Sequence, residues 1–227
     1  MPVQPAVVVF DVIETLFALE PLRAKLEEAD VPGHALETWF AQLLRNAFAL
    51  SATGSYQPFR EVAIDSLKSV ASANGRLLNE DQVAGIIGTF AALDAYPDVA
   101  PSMARLAESG IRLVTLTNGS EDVTRKLLDR AGLSQYVELV ISVDEVKLWK
   151  PRKEVYRHCA QRCGVEPGAM MLIAAHGWDI HGASAAGMRT GFLRRKGRSF
   201  PGVMTKPELD ADDLAGLIDR LFTTDSE

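Results

Sequence analysis

Cysteine is nearly missing from this chain: Cys159 and Cys163 are the only two among 227 residues. Spaced four apart in a helical-looking stretch, they share one helix face, but two residues alone build neither a zinc site nor a disulfide framework. They read as core thiols of a reducing compartment, and His158 beside them adds too little for a metal site. A long apolar run is missing too. The start, Met1-Pro2-Val3-Gln4-Pro5-Ala6, carries no basic residue, and the apolar segment after it is far too short for a signal peptide or a membrane span. A cytoplasmic location is therefore expected. Positive charge is in deficit, at a formal net charge of -6, so there is no broad footprint for nucleic acid or an anionic membrane. Internal repeats and low-complexity stretches are also absent. What remains is small-molecule chemistry on a chain that is 47% apolar and long enough to bury a sizeable core.

The first feature present is the run Val7-Val8-Val9-Phe10-Asp11. Continuous β-branched apolar residues predict a strand buried on both faces, and its end delivers a lone carboxylate to the carboxyl edge of a sheet. Ligands bind at that edge in open α/β sheets. Residues 18–95 then show no strand run. Apolar residues recur at helical spacing through Leu22 and Leu26, through Trp39, Leu43, Leu44, Ala47 and Phe48, through Val62, Leu67 and Val70, and through Val83, Ile86, Ile87 and Phe90. An all-helical insert is predicted. From Tyr96 onward, strands at 112–117, 139–142, 170–174 and 190–193 alternate with helices at 97–110, 121–131, 152–164 and 180–186, which implies a parallel α/β sheet. The segment 209–222 is predicted as one amphipathic helix packed outside that sheet.

In a parallel sheet, the residues just after each strand share one edge. Here those are Asp11 with Thr15, Thr117-Asn118-Gly119-Ser120, Lys150-Pro151 after a loop, and Ala174-Ala175-His176-Gly177-Trp178-Asp179. A nucleophilic carboxylate, a hydroxyl and an amide with backbone donors, an ammonium and a second carboxylate converge, which is the equipment of covalent catalysis.

With these four motifs in order, the sequence resembles the haloacid dehalogenase superfamily. They are Phe10-Asp11-Val12-Ile13-Glu14-Thr15-Leu16, Leu116-Thr117-Asn118-Gly119-Ser120, Lys150-Pro151, and Trp178-Asp179-Ile180 followed by Gly182-Ala183. The resemblance covers nearly the whole chain and is closest to the type II, (S)-2-haloacid dehalogenase branch. It implies a Rossmann-like core over 1–17 and 96–227, with a helical cap over 18–95 inserted after the first strand. Phosphatases of the superfamily carry an acid two residues after the nucleophile and a magnesium-binding aspartate five residues before the position of Asp179. Here those places hold Ile13 and Ala174. Ile13 cannot transfer a proton, and Ala174 offers magnesium no oxygen. Halide leaves as a stable anion and needs neither group.

The mechanism implied by the resemblance is metal- and cofactor-independent. Asp11 attacks the halogen-bearing carbon of a small anionic substrate, and water directed by Asp179 cleaves the resulting ester. Lys150 keeps Asp11 ionised, while Thr15, Thr117 and Asn118 hold the substrate carboxylate and the developing oxyanion. Val12, Ile13, Trp39, Phe40, Phe59, Tyr156 and Trp178 fall at or beside pocket positions. Two departures stand out. The cap arginine of the characterised enzymes is Phe40 here, with Arg45 the nearest candidate, facing either the pocket or solvent. The motif-four serine and asparagine are Ala174 and His176. His176 either donates to an anion, activates water with a pKa near neutrality, or is structural. The alternatives to a dehalogenase are a related hydrolase acting on another electrophile, such as a phosphate monoester, and a low-turnover small-anion binding protein. The apolar face bearing Leu43, Ala47 and Phe48 either supports a homodimer or covers the core.

Overall fold

The computed structural model describes residues 4–223. Met1–Val3, on which the leader expectation partly rests, lie outside the described residues. Six parallel strands, β1 (Val7–Phe10), β2 (Arg112–Thr117), β3 (Leu139–Ser142), β4 (Met170–Ala174), β5 (Arg189–Leu193) and β6 (Leu209–Ala211), form one sheet in the order β3-β2-β1-β4-β5-β6. β1 is central and pairs with β2 on one side and β4 on the other, through Phe10↔Thr115 and Phe10↔Ile173. Strand order reverses at this point, so Asp11 sits at the topological switch where α/β sheets open a crevice. The apolar run explains the burial. Val8 and Phe10 enter one core and Val7 and Val9 the other, all fully buried.

Between β1 and β2 the chain forms α1 (Glu20–Glu28), α2 (Ala35–Ala52), α3 (Phe59–Ala73) and α4 (Glu80–Gly88), with no strand among them, as the helical spacing predicts. Both ends of this insert leave the sheet at one place: Ala18 N donates to Asp94 O at 2.9 Å and Tyr96 N to Leu16 O at 2.9 Å. The remaining helices are α5 (Val99–Glu108), α6 (Glu121–Arg130), α7 (Lys153–Cys163), α8 (Gly177–Ala185) and α9 (Leu214–Thr223). Gly164, at φ +69°, stops α7 in the left-handed region that favours glycine.

One predicted element divides. The single helix over 209–222 is instead the short edge strand β6, paired with β5 through Gly191↔Leu209, followed by α9. The break has a physical cause at Asp212-Asp213. The Leu214 amide donates to Asp98 Oδ2 at 2.7 Å and the Gly216 amide to Asp213 Oδ1 at 2.8 Å, so α9 starts from side-chain acceptors. Leu43 and Ala47 are fully buried inside the fold and Phe48 packs edge-on against Trp178, so these residues cover the core. Cys159 and Cys163 are buried free thiols, and His158 pairs with Glu145 rather than with either. No helix among the described residues is long and apolar enough to cross a membrane.

Candidate active site

Asp11 follows β1 directly and is 5% exposed. Its Oδ1 accepts from Lys150 Nζ at 2.8 Å, and its Oδ2 accepts from Thr15 Oγ1 at 2.6 Å and from His176 Nδ1 at 3.0 Å. Lys150 is fully buried and uses all three protons, on Asp11, on Asp179 Oδ2 at 2.7 Å and on the Leu116 carbonyl at 2.9 Å. Asp179, in the first turn of α8, also accepts from the Tyr156 hydroxyl at 2.6 Å. Asn118 Oδ1 receives the Lys150 amide at 3.0 Å, and Thr117 Oγ1 receives the Gly119 amide at 2.9 Å. The predicted set Asp11, Thr15, Thr117, Asn118, Lys150, Tyr156, His176, Trp178 and Asp179 thus gathers at one sheet edge.

Burial alone would raise the Asp11 carboxyl, but the Lys150 ammonium and the His176 ring outweigh it and hold Asp11 far below the carboxylate range. Burial opposes the charge on Lys150 as well, yet two adjacent carboxylates raise its pKa. Asp179 moves upward, first through burial and then through the neighbouring Asp11 charge, against the pull of Lys150. A carboxylate raised in this way is a better base.

Of the three roles open to His176, its surroundings favour the hydrogen-bond donor over the near-neutral base. Its Nε2 lies 3.1 Å from Glu14 Oε2, so carboxylate oxygens face both ring nitrogens and each nitrogen must carry a proton. Burial opposes that charge, but hydrogen bonds from the ring to Asp11 and Glu14 overcome it and push the pKa up to about 9. Glu14 is lowered to about 2, against its burial, by His176 and by Arg198, whose guanidinium binds it at 2.6 and 3.0 Å. The ring of Trp178 stacks on His176 at 5.1 Å and Phe40 lies on another side at 6.2 Å.

Two cavities flank this cluster. One of about 250 Å³ lies between the insert and the sheet edge, lined by Ile13, Phe59, Ile87, Phe90, Thr117, Gly119 and Ser120. A second, of about 190 Å³, is lined by Glu14, Glu37, Phe40, His176, Lys196 and Arg198. Three predicted pocket residues are elsewhere. Arg45 is exposed, with its guanidinium on Asn46, because its helix position turns it outward. Trp39 is buried inside the insert, donating to the Ala63 carbonyl at 3.0 Å and packing on Phe90. The Val12 side chain is fully buried in the core.

Glu14 and Arg198 were missed. Arg198 follows β5, and the strand-end rule that located the other groups, applied to β5, leads to Arg194-Arg195-Lys196-Gly197-Arg198. Arg195 supports the same loop, donating to the Thr15 carbonyl at 3.1 Å and to Asp98 at 2.8 Å. For Glu14, only its place beside Thr15 in the first motif is a signal. Its left-handed φ of 62° turns its carboxylate toward His176.

A family profile described as haloacid dehalogenase-like hydrolase matches residues 5–187. The (S)-2-haloacid dehalogenase 1 of Pseudomonas sp. (strain CBS-3) is 29% identical over 191 residues, 82% of this chain and 83% of that protein. The (S)-2-haloacid dehalogenase of Pseudomonas sp. (strain YL) is 26% identical over 220 residues, 96% of this chain and 94% of that protein. Among solved structures, an L-2-haloacid dehalogenase superposes with a TM-score of 0.92 at 26% identity, over 97% of this chain and 100% of that one. The L-2-haloacid dehalogenase of Xanthobacter autotrophicus with chloropropionic acid covalently bound has the same fold, with a TM-score of 0.89 at 23% identity over 96% of this chain and 98% of that one.

Proposed function

The chain belongs to the haloacid dehalogenase-like hydrolases, and from that premise we propose that it displaces halide from a small (S)-2-haloacid, with Asp11 as nucleophile and residues 18–95 as the cap over the site. The observation that carries this reading is the buried Asp11–Lys150–Asp179 set beside the apolar Ile13 and Ala174. Oδ2 of Asp11 already accepts two donors and Oδ1 only one, which leaves Oδ1 a lone pair for attack. Oδ1 bonds to C2 of the substrate as the carbon–halogen bond breaks, and the halide departs with the electron pair. Water then attacks the Asp11 carboxyl carbon and gives its proton to Asp179. The Cγ–Oδ1 bond breaks, the departing alkoxide takes that proton back to leave as a 2-hydroxyacid, and the water's second proton, left on the regenerated Asp11 carboxyl, is released to solvent.

A magnesium ion fits this residue set poorly. Lys150, Thr15 and His176 occupy the oxygens of Asp11, and Ala174 offers no ligand. Among the described residues, no group of three or more His, Cys, Asp or Glu is arranged to hold a metal ion. The cavity beside Ile13, Phe59 and Thr117 suits a short haloacid, its carbon chain against the rings and its carboxylate toward the amides after β2.

The deciding measurement is halide release from (S)-2-chloropropionate with chelator present. Turnover is expected in the native chain and its loss in Asp11→Ala. A panel of small haloacids yielding no halide, or activity only on phosphate esters with added magnesium, would overturn the reading.

A further inference from the structure

We propose that His176 is a catalytic residue of the second half-reaction: with Thr15 it forms a charged oxyanion hole on Oδ2 of Asp11, and Glu14 and Arg198 are the positioning residues that hold it there. The inference rests on the aspartyl-ester chemistry proposed above. If Oδ1 carries the substrate, Oδ2 becomes the carbonyl oxygen of the ester, and it is the atom on which negative charge develops when water adds to Cγ. Two donors already point at it, the Thr15 hydroxyl at 2.6 Å and the His176 ring at 3.0 Å. Donors fixed in advance on the atom that gains charge stabilise a transition state without reorganising. The Thr15 hydroxyl itself accepts the Ala175 amide at 2.9 Å, which leaves its proton free for Oδ2.

His176 cannot turn away. Trp178 stacks on one face of the ring, and Glu14 receives its far nitrogen. Glu14 in turn is gripped by both terminal nitrogens of Arg198. The charged groups around the ring are Asp11 and Glu14 from the segment after β1, Lys196 and Arg198 from the segment after β5, and Glu37 from α2, with Lys150 and Asp179 beyond Asp11.

Esterification removes the negative charge of Asp11 from one side of this ring, and only Glu14 then keeps it protonated. This gives the arrangement a kinetic signature. The free enzyme holds His176 charged up to pH about 9. The ester state loses one supporting carboxylate, so its alkaline limit lies lower. The alkaline limb of ester hydrolysis therefore lies below that of the free enzyme's His176, while kcat/KM, which ends at halide displacement, carries no limb from this donor.

Rapid quench with intact-mass detection separates the two half-reactions. In His176→Ala, which leaves no side-chain donor at this position, a burst of halide equal to the enzyme concentration is expected, with the Asp11 ester accumulating and its hydrolysis slowed about 10²–10³-fold, the loss seen when one oxyanion donor is removed. In Glu14→Gln, which keeps the ring in place, the alkaline limb of ester hydrolysis is expected to move down by about 1–3 pH units, the effect of losing one adjacent charge. If His176→Ala fails to fold, the Glu14→Gln profile decides. An ester that forms and is cleaved by His176→Ala at the native rate, or an unmoved limb in Glu14→Gln, overturns this inference alone. No ester in the native protein with any 2-haloacid overturns the dehalogenase reading and this inference with it.

Discussion

Lys150 is the residue on which the site's electrostatics turn. It is fully buried between Asp11 and Asp179, and its third proton is fixed on the Leu116 carbonyl. Lys150→Met would leave two buried carboxylates facing one another without the ammonium. Breaking a buried pair in this way costs about 3–5 kcal/mol. Activity is expected to vanish, and the urea midpoint to fall, while Lys150→Arg fails to restore activity because a planar guanidinium cannot aim three donors as an ammonium does. Asp11, Lys150 and Asp179 were legible in the sequence because each follows a strand of one parallel sheet, and strand ends are the part of such a fold that periodicity locates best. The charge on His176 was not legible. It depends on two carboxylates 165 and 162 residues earlier in the chain, which no local pattern brings together. Arg45 stayed open between pocket and solvent because its helix was readable but its direction around that helix was not.

At the scale of elements, α8 lies so close to the Lys150-Pro151 segment that only glycine fits at position 182. A Cβ there would meet Pro151 Cβ at 2.6 Å, the Tyr156 hydroxyl at 2.7 Å and the Pro151 carbonyl at 2.8 Å. Two of these atoms cannot swing aside. Gly182→Ala is expected to destabilise the fold by about 1–3 kcal/mol, as overpacking does, and to lower the rate by shifting Asp179, one helical turn earlier, away from Lys150 and Tyr156. Denaturant titration and single-turnover rates measure the two effects. The helices of the insert were readable because their apolar residues recur at helical spacing, and Val62, Leu67, Val83 and Ile86 are all buried. β6 was not, because three residues are too few to establish an alternation of their own. Its strand character comes from pairing with β5, a partner remote from any window of local sequence.

Across the whole molecule, the buried ion cluster should shape the pH dependence of stability. His176 rises from 6.5 to about 9 on folding, so its contribution is complete below pH 6.5 and disappears as pH rises through about 9. Glu14 falls from 4.5 to about 2, so its contribution is complete above pH 4.5 and is lost as pH falls toward 2. For this pair, thermal stability is expected to be greatest between about pH 4.5 and 6.5. In Glu14→Gln, the decline on the alkaline side is expected at lower pH, because His176 then has one carboxylate fewer to hold its proton. Calorimetric scans across pH 4–10 measure both.

The same cluster carries a consequence for turnover. Asp11, Glu14 and Asp179 are matched by Lys150, His176 and Arg198, so the resting site is electrically neutral. On the dehalogenase reading proposed above, a haloacid brings one surplus negative charge into it. Alkylation of Asp11 followed by departure of the halide removes that surplus, and the ester, with its own single carboxylate, is in balance with its surroundings. Hydrolysis returns Asp11 to a carboxylate beside a product that is itself an anion, and the imbalance returns. On that reading the pocket is charge-matched to the intermediate rather than to what enters or leaves, and the same balance is expected to favour departure of the hydroxyacid.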